Sequence, residues 1–151
     1  MMVPRLKGMI TVNDSIAEIY RKEYGIPVRV VRNIPVTNNF EGQEIYVSKS
    51  RADYGLPADK SIFLLQGAGI NMHRGAEEAV EAMSLVRNGM LSIVGGGDVV
   101  ETLKHMVEEK DLSDKVKFLP KVPPAELRKI SRLADFGLTL DKDTNLNYRF
   151  S

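Results

Sequence analysis

The chain has 151 residues, 21 Lys+Arg against 20 Asp+Glu, a net charge of +1, 43% hydrophobic residues and no cysteine. This is the composition of an ordinary globular protein, long enough to bury about two-thirds of its unfolded surface without disulfides or a structural metal. The absence of cysteine excludes thiolate catalysis, zinc–cysteine clusters and thiol redox chemistry, and His73 and His105 are too few for a histidine metal cage. A near-neutral balance excludes a global field for nucleic acid, so any anion site must be local. No apolar run approaches the ~20 residues that span a bilayer, and the opening MMVPRLKG lacks the apolar stretch of a signal peptide, so a cytoplasmic address is expected.

In chain order, GMITVN (8–13) reads as a strand. Ser15 and Glu18 have capping-box spacing, Ile16, Ile19 and Tyr20 fall on one helical face, and Gly25 with Pro27 ends the helix. VRVVRN (28–33) is a second strand. The polar stretch 34–50 has the composition of a long connection, with a helical turn expected in EIYVSKSRADYG. From residue 61 the pattern becomes regular. SIFLLQG (61–67) is an apolar strand, and RGAEEAVEAMSLV (74–86) sets Ala76, Ala79, Val80, Met83 and Val86 on one helical face. MLSIVGGG (90–97) repeats the strand, followed by Asp98 as the expected cap of a helix bearing Val99, Leu103, Met106 and Val107, with Glu101 at capping-box spacing. KVKFLP (115–120) is the next strand. Pro123 and Pro124 open a helix with Leu127, Ile130 and Leu133 inward, and ADFGLTL (134–140) is the last strand. Strands alternating with helices predict an α/β fold with a parallel sheet. Both ends read as cut: a βα unit begins with almost nothing before it, and a parallel strand is followed only by a polar loop.

In such a sheet ligands bind beyond the carboxyl ends of the strands. The loop QGAGINMHRG (66–75) offers Gly67, Gly69 and Gly75 for close backbone approach and Arg74 at the mouth of a helix, where a guanidinium can grip two phosphate oxygens. The alternative is a tight turn beside a solvated first-turn arginine. In VGGGD (94–98) a dinucleotide fingerprint starting at Gly95 would need Gly or Ala at position 100, which is Val100, so a nicotinamide site is disfavoured. Gly95, Gly96 and Gly97 still permit a nucleotide to lie on the backbone, or form a bare turn. His105 is assigned to the surface, and His73 reads as an exposed loop residue. Asp135 either caps the preceding helix or begins the last strand, and no second carboxylate is fixed beside it for acid–base work. Lys7, Arg21, Lys22, Arg29 and Arg32 make the first third mildly basic, a solvated face or one suited to an anionic membrane surface.

The ordered blocks ITVNDSIAEIYRKEYG, VVRNIP, FLLQGAGINMHRGAEEAVEAM, LSIVGGGDVVETLKHMV and DKVKFLPKVPPAELRKISRLADFGLTL resemble the middle of a retaining glycosyltransferase of the GT-B fold, group 1 (family four). The resemblance covers nearly the whole chain. It implies a truncated GT-B fold made of Rossmann-like three-layer halves. Residues 1–50 would be the last βα unit of the acceptor domain and the interdomain linker, and 51–151 a partial domain for the nucleotide-sugar donor. By this resemblance Gly67, Gly69, Arg74 and Gly75 meet the donor diphosphate. Gly95, Gly96, Gly97, Lys121 and Val122 flank the nucleoside. No metal or cofactor is implied, since the nucleotide-diphosphate sugar is a substrate. The implied partners are that donor and a glycan or lipid-linked acceptor, with peripheral membrane association and no nucleic acid. Departures from the family pattern are Ala68 directly after the first loop glycine and Pro120 before the base-contacting turn. The acidic donor-sugar motif belongs beyond Ser151, no catalytic residue is assigned, and the chain alone is expected to be inactive. Two alternatives remain open, a GT-B sugar-nucleotide epimerase and a non-catalytic nucleotide-binding α/β module.

Overall fold

The computed structural model describes residues 6–34, 49–71 and 75–140, and these fall into two compact units, 6–34 and the remainder. In the first unit, β1 (Met9–Thr11) pairs parallel with β2 (Val28–Val30), joined through α1 (Asp14–Tyr24). The cap of α1 is Asn13 instead of the expected Ser15: its side chain accepts a hydrogen bond from the Ile16 N–H at 2.8 Å. Asn13 holds extended backbone while Ser15 already lies in the first helical turn, so only Asn13 can reach the free N–H groups. Gly25 closes the helix as expected, its left-handed backbone (φ 64°) letting its N–H bond the Arg21 carbonyl at 3.0 Å.

The second unit opens with a 3-10 turn, Ala52–Tyr54, where a helical turn was expected. It continues with β3 (Ser61–Gly67), α2 (Ala76–Ala82), β4 (Gly89–Gly95), α3 (Val100–Glu109), β5 (Val116–Leu119), α4 (Pro124–Leu133) and β6 (Phe136–Gly137). All four strands run parallel in the order β5-β4-β3-β6, the strand-switching order of an open α/β sheet. β6 is much shorter than the seven-residue strand expected over 134–140, although Asp135 N–H to the Ile62 carbonyl and Leu138 N–H to the Leu64 carbonyl extend its bonding. Among the described residues it pairs with β3 alone, and Phe136 stacks on Phe63 at 5.2 Å while staying half exposed.

Period-two alternation along the strands feeds two separate cores. Leu65, Leu91 and Ile93 join Ala76, Val80 and Met83 of the α2 region and Leu103 and Val107 of α3 on one face. Leu64 and Val94 meet Ile130 of α4 on the other, with Tyr54, Leu119, Val122 and Leu127 packed around them. Three layers result: helices, sheet, helix. The helical faces expected for 74–86 and 100–107 are the buried ones. The expected capping box at Asp98 and Glu101 does not form. α3 starts at Val100 after an uncapped Val99, and Glu101 pairs with Lys104 at 2.7 Å instead. No described helix is long and apolar enough to cross a membrane.

Candidate functional site

The strand ends that face ligands in a parallel sheet here converge on two cavities that share Gly67. The first, of about 80 Å³, is lined by Leu65, Gln66, Gly67, Gly69, Ile70, Leu138, Thr139 and Leu140, from the end of β3 and the segments that follow β3 and β6. The second, of about 190 Å³, is lined by Gly67, Ala68, Val94, Gly95, Lys121, Val122, Pro124 and Leu127, and its walls are mainly aliphatic. Val94 and Gly95 close β4, the 121–124 turn leaves β5, and Leu127 lies three residues into α4, so three consecutive βα connections build one apolar slot.

Backbone packing between loops explains much of the glycine pattern. Gly95 has φ 134°, and a Cβ there would fall 2.0 Å from the Gly67 carbonyl oxygen, a distance no side chain tolerates. The Ile70 N–H donates to the Gly96 carbonyl at 2.8 Å, which ties the β3 and β4 loops together. Gly75 (φ 75°) is pressed onto the segment that follows β6, since its Cβ would lie 2.4 Å from Leu140. The start of α2 is thereby held beside the first cavity.

Of the residues singled out in the sequence, Gly67 and Gly69 line the first cavity, and Gly95, Lys121 and Val122 line the second. Gly96 and Gly97 line neither, and Gly75 contributes through its contact with Leu140. Arg74 and His73 lie outside the described residues. His105 is exposed on α3, as assigned. The sequence reading missed Ala68, Val94, Pro124 and Leu127 of the apolar slot and Thr139 and Leu140 of the first cavity. Their position at strand ends and a helix start was the available signal, but aliphatic side chains in such places read as ordinary core.

Among the described residues no group of three or more His, Asp or Glu side chains is placed to hold a metal ion. The fold and the paired cavities meet an independent observation: the sequence model of the family described as "Glycosyl transferases group 1" matches residues 47–138. The chain belongs to the group 1 glycosyl transferases.

Solved structures agree in fold. A glycosyltransferase from Rickettsia africae superposes with a TM-score of 0.68 at 16% identity, over 88% of this chain and 38% of that one. Sucrose-phosphate synthase from Thermosynechococcus elongatus gives 0.63 at 22% identity, over 93% and 37%. TarM from S. aureus, crystallised with fondaparinux, alpha-GlcNAc-glycerol and UDP, gives 0.64 at 11% identity, over 91% and 26%. This chain therefore spans well under half the length of each of these structures. No curated protein sequence matches it.

In this group 1 chain, ionic contacts tie the segment that enters the second unit to the helix bordering the apolar slot. Glu126, in the first turn of α4, accepts the Tyr54 hydroxyl at 2.6 Å and pairs with Lys49 at 2.5 Å and Lys129 at 3.2 Å. Bonds from Lys49, then Tyr54, then Lys129 hold its carboxyl down to about 2, and burial followed by the hydrogen bond to Glu126 pushes the Tyr54 phenol up to about 12. Arg51 donates to the Leu133 carbonyl at 2.9 Å, to the Lys60 carbonyl at 3.2 Å and to Asp135 at 2.8 Å. Asp135 also accepts the Ile62 N–H at 2.7 Å, and this bond, with Arg51, keeps its carboxyl below the usual range. Asp135 thus stands at the start of the last strand, one of the two places expected for it, and in addition pins that start to β3 and to Arg51.

Proposed function

We propose that the second unit is the donor-binding half of a glycosyltransferase that moves a sugar from a nucleotide diphosphate to a glycan or lipid-linked acceptor. One observation supports this above the rest: the apolar slot and the glycine-lined cavity adjoin at Gly67, beyond the strand ends of a group 1 domain. A nucleoside suits the aliphatic slot, where Lys121 and the backbone around Val122 supply polar groups. A diphosphate suits the backbone at Gly67 and Gly69, with Arg74 as the paired charge. That TarM was crystallised with UDP favours a nucleoside diphosphate of this kind.

In this reading Arg74 and backbone N–H groups stabilise the charge that develops on the leaving diphosphate, and no metal is required. Retention of configuration, a role in cell-surface polysaccharide or glycolipid synthesis and work at the cytoplasmic face of a membrane complete the proposal. Lys7 and Arg29, which flank one open cavity of the first unit with Ile10, suit an anionic surface. Acceptor placement and exclusion of water need the other half of the fold, so the chain by itself should bind without turning over.

Thermal-shift and calorimetric titration with UDP, GDP, ADP and NAD tests the reading. A ligand at 100 times its Kd that binds only the folded state adds about 2.7 kcal/mol. One nucleoside diphosphate should raise the unfolding temperature and NAD should not, and Arg74→Ala should weaken the binding about tenfold or more. Unchanged affinity in Arg74→Ala refutes the phosphate assignment, and a shift by NAD alone refutes the donor reading.

A further inference from the structure

The segment Lys49–Tyr54 grips both ends of α4. At the carboxyl end Arg51 bonds the Leu133 carbonyl, and at the amino end Lys49 and Tyr54 meet on Glu126. Lys49 also sits 5.3 Å from the centre of the Tyr54 ring, and Tyr54 packs on the same small core as Leu127 and Val122. The segment is itself tied to the sheet's edge by Arg51, which bonds the Lys60 carbonyl just before β3 and Asp135 just before β6. Pro124 and Leu127, on either side of Glu126, form one wall of the apolar slot, and the facing wall comes from the β3 and β4 loops at Ala68 and Gly95. The distance between those walls is therefore set by where α4 sits on the sheet, and among the described residues the buried cluster that joins the two consists of Leu64 and Val94 of the sheet and Ile130 of α4.

We propose that Glu126 is a positioning residue for nucleoside binding: by joining the Lys49–Tyr54 strap to the first turn of α4 it sets the width of the slot. The inference rests on the slot receiving a nucleoside. Glu126 touches no substrate. It acts through Pro124 and Leu127, and a slot that gapes by a fraction of an ångström loses contact along one whole face of the base. Reciprocity requires that a bound nucleoside also strengthens the strap.

The test uses the full 151-residue chain and three variants, Glu126→Ala, Glu126→Gln and Tyr54→Phe. Affinity for UDP, GDP and ADP is measured well below the unfolding temperature, where a loss of stability alone leaves Kd unchanged. The nucleotide that binds the wild type should bind Glu126→Ala about tenfold more weakly. Glu126→Gln, which still accepts the Tyr54 hydroxyl, should recover part of the loss, and Tyr54→Phe should show a smaller one. Hydrogen exchange on the ligand-free chain reads the mechanical step separately. The Leu127 N–H, bonded to the Pro123 carbonyl at 2.9 Å, should exchange faster in Glu126→Ala while Leu103 N–H in α3 does not change. An unaltered Kd, or unaltered exchange at Leu127, overturns the positioning role with the donor reading intact. A wild type that binds none of the three nucleotides overturns the nucleoside reading, and the role of Glu126 with it.

Discussion

Glu126 shows how a single carboxylate comes to depend on its partners. Its carboxyl is held at about 2 in the folded chain against 4.5 in an ordinary setting, so its contribution to stability is present above about pH 4.5 and is lost as pH falls through about 2. In a denaturant series against pH, the wild type should exceed Glu126→Gln at neutral pH, and the two curves should converge between those values. A gap that persists at the acid end would show that the stabilisation is not ionic. Ser92 is the opposite case. It is fully buried in β4 and its hydroxyl has no hydrogen-bond partner among the described residues, a desolvation cost of about 1–3 kcal/mol. Ser92→Ala should leave the unfolding midpoint equal or raise it, and a loss above about 1 kcal/mol would mean that the hydroxyl is satisfied in solution. Gly95 admits no such freedom: with φ 134° and the Gly67 carbonyl 2.0 Å from any Cβ, Gly95→Ala should cost about 3 kcal/mol or more and disturb both cavities.

At the scale of elements, each helix is held by the means that its ends allow. α1 has a polar side-chain cap, so Asn13→Ala should destabilise it by about 1 kcal/mol, read as faster exchange of the Ile16 N–H. α3 has no such cap and relies on burial of its inner face, where Leu103 is fully enclosed between sheet and helix. Leu103→Ala should therefore cost about 2–5 kcal/mol, whereas Leu85, which is 85% exposed in the turn after α2, should tolerate alanine within about 0.5 kcal/mol by the same denaturation assay. α4 is bound at both ends by side chains distant in sequence, since Arg51 and Leu133 are brought together only by folding. This arrangement fixes the α4 wall of the apolar slot through side chains, whereas the β3 and β4 loops are fixed by close backbone packing at Gly95.

Across the whole molecule, the two units differ in how much sheet they contain. Among the described residues the second has four parallel strands covered on both faces, and the first has two three-residue strands, with Ile10, Val12 and Val31 more than half exposed. A two-stranded sheet is only marginally stable alone, so amides of β3 and β4 such as Leu65 and Ile93 should exchange orders of magnitude more slowly than the Met9 and Val31 amides. Equal protection would require the two units to unfold as one. Alternation of short apolar runs with helical periods was enough to specify the parallel α/β architecture, the buried faces of α2 and α3 and the strand-end loops that border the two cavities, because these follow from local periodicity and from the direction of parallel strands. The order of the motif blocks was enough for the family. The tertiary structure alone decided which glycines meet a cavity and which meet another loop, because a close approach of two backbones separated by nearly thirty residues leaves no mark beyond the glycine itself. It alone decided the caps of α1 and α3, where several polar residues compete and backbone geometry chooses between them. It alone joined Arg51 to Leu133 and Tyr54 to Glu126, since such pairs consist of ordinary surface residue types until the fold sets them 2.9 and 2.6 Å apart.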